Sequence, residues 1–578
     1  MKNKKLIKRS TALACAVVAL ASTAACNKPK ADGEQVLEIF LWDAGYGTQW
    51  LTDMSEAFKA QDWVKTKYPE LEIIIDADSD NGKATTLIDA GEKGGNTVDL
   101  FFAANLQKYT GVSYDGTEHF ADLTEKVFNQ TVPGENVTVY DKMWDSTLEA
   151  IRYYQKGQDS NSQNVPFKTY IFPWVGGMNS ILYNAAHLET LGLEVPLTTN
   201  DLIAACETAQ NSSLPYNLEK DGGYAILTDG SGNYWDTYYN TWWGQYEGVE
   251  GYYDFFNGVI NDSGTKMTSY KVHEQKGKLY SLKVLENLLK WDNGYVYQKH
   301  TGYDYMSAQT AFLEGDAVFY CCGDWYADEM KEVAADLKTE AELDGKTFEN
   351  NIRLMKNPVV SEIIELTESI TSEEMLKVVI KAIDAGYKNQ ETAMQASFYQ
   401  EASLGLSTAM QNACAEITDE DYEKILEARS IISSTGTRDT GVVPSYAKGK
   451  EVAFDFLKFL ATDEAQDIYT QATSGSNLPF EYDLKTKNLP LYNSLPQLSK
   501  DRADIFSNNT YEINVLPDYL AFPLVRYGGM SAVHSISTSL VNYFISEGAT
   551  ADAQKLYEDD IKYYQTNFKN CLKDAGLE

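Results

Sequence analysis

Residues 308–325, AQTAFLEGDAVFYCCGDW, constrain the fold most tightly, because one short stretch reads as helix, turn, buried strand and a delivered aromatic. Ala308, Ala311 and Phe312 recur at the spacing of one helical face, and Glu314-Gly315-Asp316 supplies turn chemistry. AVFYCC is a continuous apolar run bounded by glycines, as expected for a strand covered on both faces. Open α/β sheets hold ligands beyond the carboxyl ends of their strands, so Gly323-Asp324-Trp325 is expected to set Trp325 at a cleft. The competing reading is a tryptophan packed into the core beside that strand.

At the amino terminus, Lys2, Lys4, Lys5, Lys8 and Arg9 precede an apolar stretch from Thr11 to Ala25 that ends in small residues and Cys26. This is the pattern of an export signal. The apolar run falls short of the roughly 20 residues a membrane-spanning helix needs. Residues 27–35 are polar and read as a tether.

The whole chain carries a formal charge of -35, and loss of residues 1–25, with five basic and no acidic residues, takes it to -40. Nucleic acid is excluded as a partner on this ground, since phosphate binding needs a basic surface. Cys206, Cys321, Cys322, Cys414 and Cys571 are odd in number and match no zinc or redox spacing. Cys321 and Cys322 read as small core residues of the buried strand.

Some 540 residues after the tether exceed what one hydrophobic core holds, so two lobes are expected. The first opens with the strand VLEIFLW (36–42), the loop Asp43-Ala44-Gly45-Tyr46-Gly47 and an amphipathic helix through Phe58. A strand at 71–75 follows. Asp76, Asp78, Asp80 and Gly82 then resemble a calcium loop only superficially, because its sixth position is Asn81 and its twelfth Leu87. A polar loop capping a helix over 83–90 is the better reading. Gly94 to Phe102 leads through Asp99 into an apolar strand with Asn105 just beyond its end, so strand and helix alternate as in a parallel α/β lobe.

YIFPWVGGMNSILYN (170–184) reads as two short strands interrupted by Gly176-Gly177. The helix AAHLETLGL follows, then Pro196 as a breaker and Thr199 or Asn200 as the next cap. Asp221 to Leu227 reads as a strand, and an aromatic-rich helix contains Trp235, Tyr238, Trp242 and Trp243. Residues 351–355 form a return strand before Asn357-Pro358, residues 361–440 suggest inserted helices, and 445–480 gives two helices ending at Gly475.

EGDAVFYCCGDW, ILYN with its helix and proline-threonine turn, and KGKEVAFDFLKFLATDEAQDIYTQATSGSNLP together resemble extracellular solute-binding protein family 1, which serves carbohydrate ABC importers. Ala24-Ala25-Cys26 likewise resembles a lipobox, with Thr23 where leucine is usual. The resemblance implies a bilobed, type II periplasmic-binding-protein-like α/β fold whose lobes close about a hinge. It divides the chain into a signal (1–25), a tether (26–35), a first lobe (36–150 and 355–475, with the insertion at about 361–440) and a second lobe (151–354 and 476–578), and it makes Asn357-Pro358 the return toward the first lobe. It further implies lipid attachment at Cys26 on the extracytoplasmic face, a membrane permease as partner, a carbohydrate ligand, a monomer and no cofactor.

No G-x-S-x-G, P-loop, H-E-x-x-H or C-x-x-C occurs, and the five histidines are isolated in sequence. Carboxylate pairs carry no signal among 84 acidic residues, so a secreted carbohydrate-active enzyme stays the alternative, with a surface sugar sensor as a third reading. A pyranose offers apolar C–H faces to aromatic planes and a belt of hydroxyls to carboxylates and amides. The residues expected to meet it are Trp42, Asp43, Tyr46 and Asn105 from the first lobe, and Trp174, Asn179, Trp235, Trp242, Asp324 and Trp325 from the second. At least one of Trp235, Trp242 and Trp243 is expected in the core, and Tyr527 is a weaker candidate.

Overall fold

A computed structural model describes residues 35–111, 118–162, 164–212, 224–230, 233–297, 302–434, 438–506, 511–514, 521–536, 538–546 and 550–578. The signal segment, Cys26 and most of the tether lie outside these residues. In chain order the strands are β1 (Val36–Trp42), β2 (Glu72–Asp78), β3 (Leu100–Ala104), β4 (Phe172–Pro173), β5 (Met178–Asn184), β6 (Ile226–Leu227), β7 (Val259–Asp262), β8 (Thr265–Thr268), β9 (Phe319–Gly323), β10 (Ile352–Leu354), β11 (Ile431–Ser434), β12 (Asp439–Val442) and β13 (Tyr511–Asn514).

Two sheets organise two lobes. The first has the order β2-β1-β3-β12-β4, parallel through β2, β1 and β3 and antiparallel beyond. The second runs β13-β11-β5-β9-β6, and β10 pairs β5 on the same edge as β11, one strand against each half. The hairpin of β7 and β8 stands apart.

The strand at the heart of the sequence behaves as its composition requires. Along β9, Tyr320 and Cys322 enter one core while Phe319 and Cys321 enter the other, the period-two alternation of a strand covered on both faces. The helix before it, Tyr305–Leu313, buries Ala308, Ala311 and Phe312. In the first lobe the helix Gln49–Ala60 buries Trp50, Leu51, Met54 and Phe58 against the sheet, and Lys450–Leu460 buries Val452, Ala453, Phe456, Leu457 and Leu460. Each valine, leucine, methionine or phenylalanine among them, fully buried, is worth about 1.5–3 kcal/mol. Asp80 caps the helix Asn81–Ala90 by accepting from Gly82 N, and Asp76 and Asp78 pair with Lys83.

Two local expectations shift. The cap of the helix Thr199–Gln210 is Thr198, whose hydroxyl accepts from Asp201 N, one residue before the expected pair. The chain also does not return to the first lobe at Asn357-Pro358. Asn357 is held in the second lobe, accepting from Tyr238 OH at 2.5 Å and donating to Ile431 O at 3.0 Å. The helices Glu373–Asp384 and Asp419–Ser430 therefore pack into the second core, and the crossing comes between β11 and β12. A first crossing joins β4 to β5. A third follows the helix Asp463–Ala472 through Gly475, whose φ of 120° suits glycine, and runs beside the first, with Gly176 N donating to Asn477 O at 2.7 Å.

Candidate functional site

The loops after β1 and β9 meet between the lobes. After β1, Asp43 N donates to Asp78 O at 2.9 Å, and Gly47 N closes a turn onto Ala44 O at 2.8 Å, which points Tyr46 inward. After β9, Asp324 N donates to Met178 O at 3.1 Å, and the Trp325 ring folds onto Gly323, where a Cβ would lie 2.0 Å from Cζ3. Glycine at 323 is thus a condition of that ring position.

Asp324 is bonded on all sides. One carboxylate oxygen accepts from Tyr46 OH at 3.4 Å, and the other from Ser476 Oγ at 3.2 Å and from Arg502 Nε. Arg502 also donates to Gly176 O at 2.6 Å. The side chains of Asp324 and Arg502 are 0% and 4% exposed. This carboxylate therefore ties the first lobe, two crossing segments and the second lobe together, which makes Asp324 an interlobe clamp. Burial, followed by the Asp324 charge, pushes the Tyr46 phenol well above its ordinary value.

Beside the clamp, an arginine lies against two indoles. Trp42, half-buried, donates Nε1–H to Ser79 O at 3.1 Å, and the Arg438 guanidinium lies 5.8 Å from its ring and 5.8 Å from that of Trp325. Asp439 accepts from Arg438 Nε and Nη2 at 3.3 and 3.2 Å. The Tyr234 ring leans on Trp325 at 5.6 Å. Asn105, left-handed at φ 60°, donates its backbone N–H to Arg438 O at 3.1 Å. Glu329 accepts from Gln309 Nε2 at 2.7 Å, and burial above all pushes its carboxyl up to about 7. A Cβ on Gly45 would sit 2.8 Å from Glu329 Oε1 and 3.1 Å from Trp325, so the first-lobe loop touches the second lobe at a residue without a side chain.

Of the residues expected to meet ligand, Trp42, Tyr46, Asn105, Asp324 and Trp325 gather at this junction; Tyr46, Asp324 and Trp325 are buried there, and Trp325, 4% exposed, packs into the core cluster beside β9, as the competing reading had it. Asp43, in the same loop, is exposed, and partial burial raises its carboxyl. Asn179 is buried on β5, opposite Gly323 and Ser433. Trp174 lies in the first core, stacked on Trp50 at 5.0 Å and 17°. Trp235 and Trp242, 1% and 0% exposed, are core residues of the second lobe, because positions 235, 238 and 242 share the inward face of the helix Asn233–Phe256. Sequence reasoning missed Arg438, Glu329 and Tyr234. Arg438 falls within the stretch read as inserted helices, although a charged pair and Gly441 between two β-branched runs signal a strand crossing there. Among the described residues no group of acids, histidines and cysteines is placed to hold a metal ion, and the five cysteines are free and buried.

Residues 44–467 match the family described as bacterial extracellular solute-binding protein. The chain belongs to that family. Its members are binding proteins of the extracellular space, and the two-sheet, three-crossing architecture is their bilobed α/β fold. No curated protein matches this solute-binding protein in sequence. Among solved structures it is similar to one from work on xylan utilization by Caldanaerobius polysaccharolyticus, with a TM-score of 0.51 and 14% identity over 92% of this chain and 99% of that one. It is also similar to a probable secreted solute-binding lipoprotein from Streptomyces coelicolor, with a TM-score of 0.51 and 11% identity over 92% and 99%. At such identities the likeness is one of fold.

Proposed function

We propose that this solute-binding protein is the lipid-anchored receptor of a bacterial ABC importer. It captures a sugar or oligosaccharide between its lobes and presents it to the membrane permease. The observation that carries this reading is the pair of indoles, Trp42 and Trp325, brought from opposite lobes to the carboxyl ends of β1 and β9. Aromatic faces suit the C–H faces of a pyranose, and Asp43, Asn105, Glu329 and Arg438 beside them can serve its hydroxyls. A ligand drives closure only by binding the closed form better, and contacts from both lobes meet that requirement. Lipid attachment at Cys26 would hold this acidic chain at a membrane surface that repels it electrostatically.

The test is calorimetry and thermal melting of the mature chain from Lys28 onward against xylo-, malto-, cello- and galacto-oligosaccharides, with product analysis of each mixture. A ligand at a hundredfold excess over its Kd stabilises the fold by about 2.7 kcal/mol. Saturable binding with the sugar recovered intact supports the receptor. Cleaved sugar makes the chain a secreted carbohydrate-active enzyme, and silence across the panel overturns the carbohydrate reading.

A further inference from the structure

Arg438 stands where the chain crosses from β11 to β12, and its backbone belongs to the first lobe. Its carbonyl accepts from Asn105 N at 3.1 Å, and its neighbour Asp439 pairs with Ala104 in the β12–β3 register and accepts from Trp174 N at 3.3 Å. The guanidinium is held on three sides. Trp42 and Trp325 flank it at 5.8 Å each, and Asp439 takes Nε–H and one Nη2–H through a single carboxylate oxygen. The Asp439 side chain is buried, so withdrawing the arginine would leave an uncompensated charge, a costly outcome that keeps the pair together. Yet the arginine side chain remains 29% exposed, and Nη1 has no hydrogen-bond partner among the described residues. A planar fork fixed on three sides with one edge open is a preorganised donor for a pair of adjacent oxygens.

We propose that Arg438 is a specificity-determining residue of the interlobe cleft, donating from its open edge to a vicinal pair of hydroxyl oxygens on the bound carbohydrate. This rests on the carbohydrate reading and sharpens it: the ligand must carry an unsubstituted vicinal diol at the ring that lies beside the two indoles. One of those indoles comes from each lobe, so the fork is complete only when the lobes are together, and reading the diol is linked to closure. Orientation is the second consequence. Trp42 and Trp325 accept either face of many sugars, whereas a fixed fork accepts only ligands whose adjacent oxygens meet it.

The experiment measures binding of the tightest oligosaccharide from the panel, and of its monodeoxy analogues, to the wild type, Arg438→Ala and Arg438→Lys, with the melting temperature of each ligand-free protein. Arg438→Ala is expected to weaken binding about tenfold to hundredfold, the worth of a hydrogen bond from a charged donor, and Arg438→Lys to recover part of it. One monodeoxy analogue should bind the wild type poorly yet lose little further affinity with Arg438→Ala, the non-additivity of a shared contact. A structural role alone would lower the melting temperature and leave the deoxy penalties equal in both proteins, which overturns the proposal. Equal or tighter binding by Arg438→Ala also overturns it, because the arginine would then be idle or obstructive. Failure of the carbohydrate reading is distinguishable, since the wild type itself would bind none of the panel, and Arg438 would lose this role with it.

Discussion

Arg502→Met tests the interlobe clamp and has a magnitude that follows from the geometry. The substitution keeps volume but leaves Asp324, with a side chain that is 0% exposed, without its cation. Breaking a buried pair from one side costs about 3–5 kcal/mol. Thermal melting should therefore drop on the order of 10 °C at pH 7, at about 2–4 °C per kcal/mol. Adding Asp324→Asn should restore much of the loss at pH 7, because no charge is then stranded. A single variant that melts within 2 °C of wild type at pH 7, or a double variant that regains nothing, would refute the clamp.

Other consequences can be checked in parallel. Gly45→Ala places a methyl group 2.8 Å from Glu329 Oε1 and 3.1 Å from Trp325, an overpacking of about 1 kcal/mol or more, and titration should show roughly tenfold weaker ligand binding with little change in ligand-free melting. Glu329, raised from 4.5 to about 7, holds a proton in the folded chain that the unfolded chain releases. Stability should fall between those pH values and level off above, and melting curves of Glu329→Gln should lack that slope. Trp325→Ala should weaken sugar binding tenfold or more, whereas Trp235→Ala should cost about 3–5 kcal/mol in denaturant unfolding, as removal of a core aromatic does. Cys26→Ala should release the protein from the membrane fraction into the soluble one.

The fold was legible where local chemistry and burial agree. Asn184 ends β5 and caps the next helix by accepting from His187 N, so the tyrosine-asparagine ending carries its own structural cause. The run AVFYCC has no polar residue to place in water, and both its faces are buried. The site was harder to read because tryptophans at the lobe junction and tryptophans inside one lobe have the same composition. Trp42 and Trp325 follow strand ends, while Trp235 and Trp242 recur at helical spacing, and that periodicity is the usable distinction. Asp324 looked like a hydroxyl acceptor because its partners Tyr46, Ser476 and Arg502 are far away in sequence. Arg438 was hidden for a related reason: Trp42 and Trp325, the rings beside it, are far away in sequence, and Trp325 belongs to the other lobe.

The most direct measurement is a crystal structure of the mature protein bound to the tightest sugar of the panel. The expected density is a pyranose between the lobes, with a ring face on Trp325 or Trp42, vicinal oxygens at Arg438, and the Asp324–Arg502 clamp formed. Sugar held by one lobe alone, or bound away from the two indoles, would contradict the account of capture by closure.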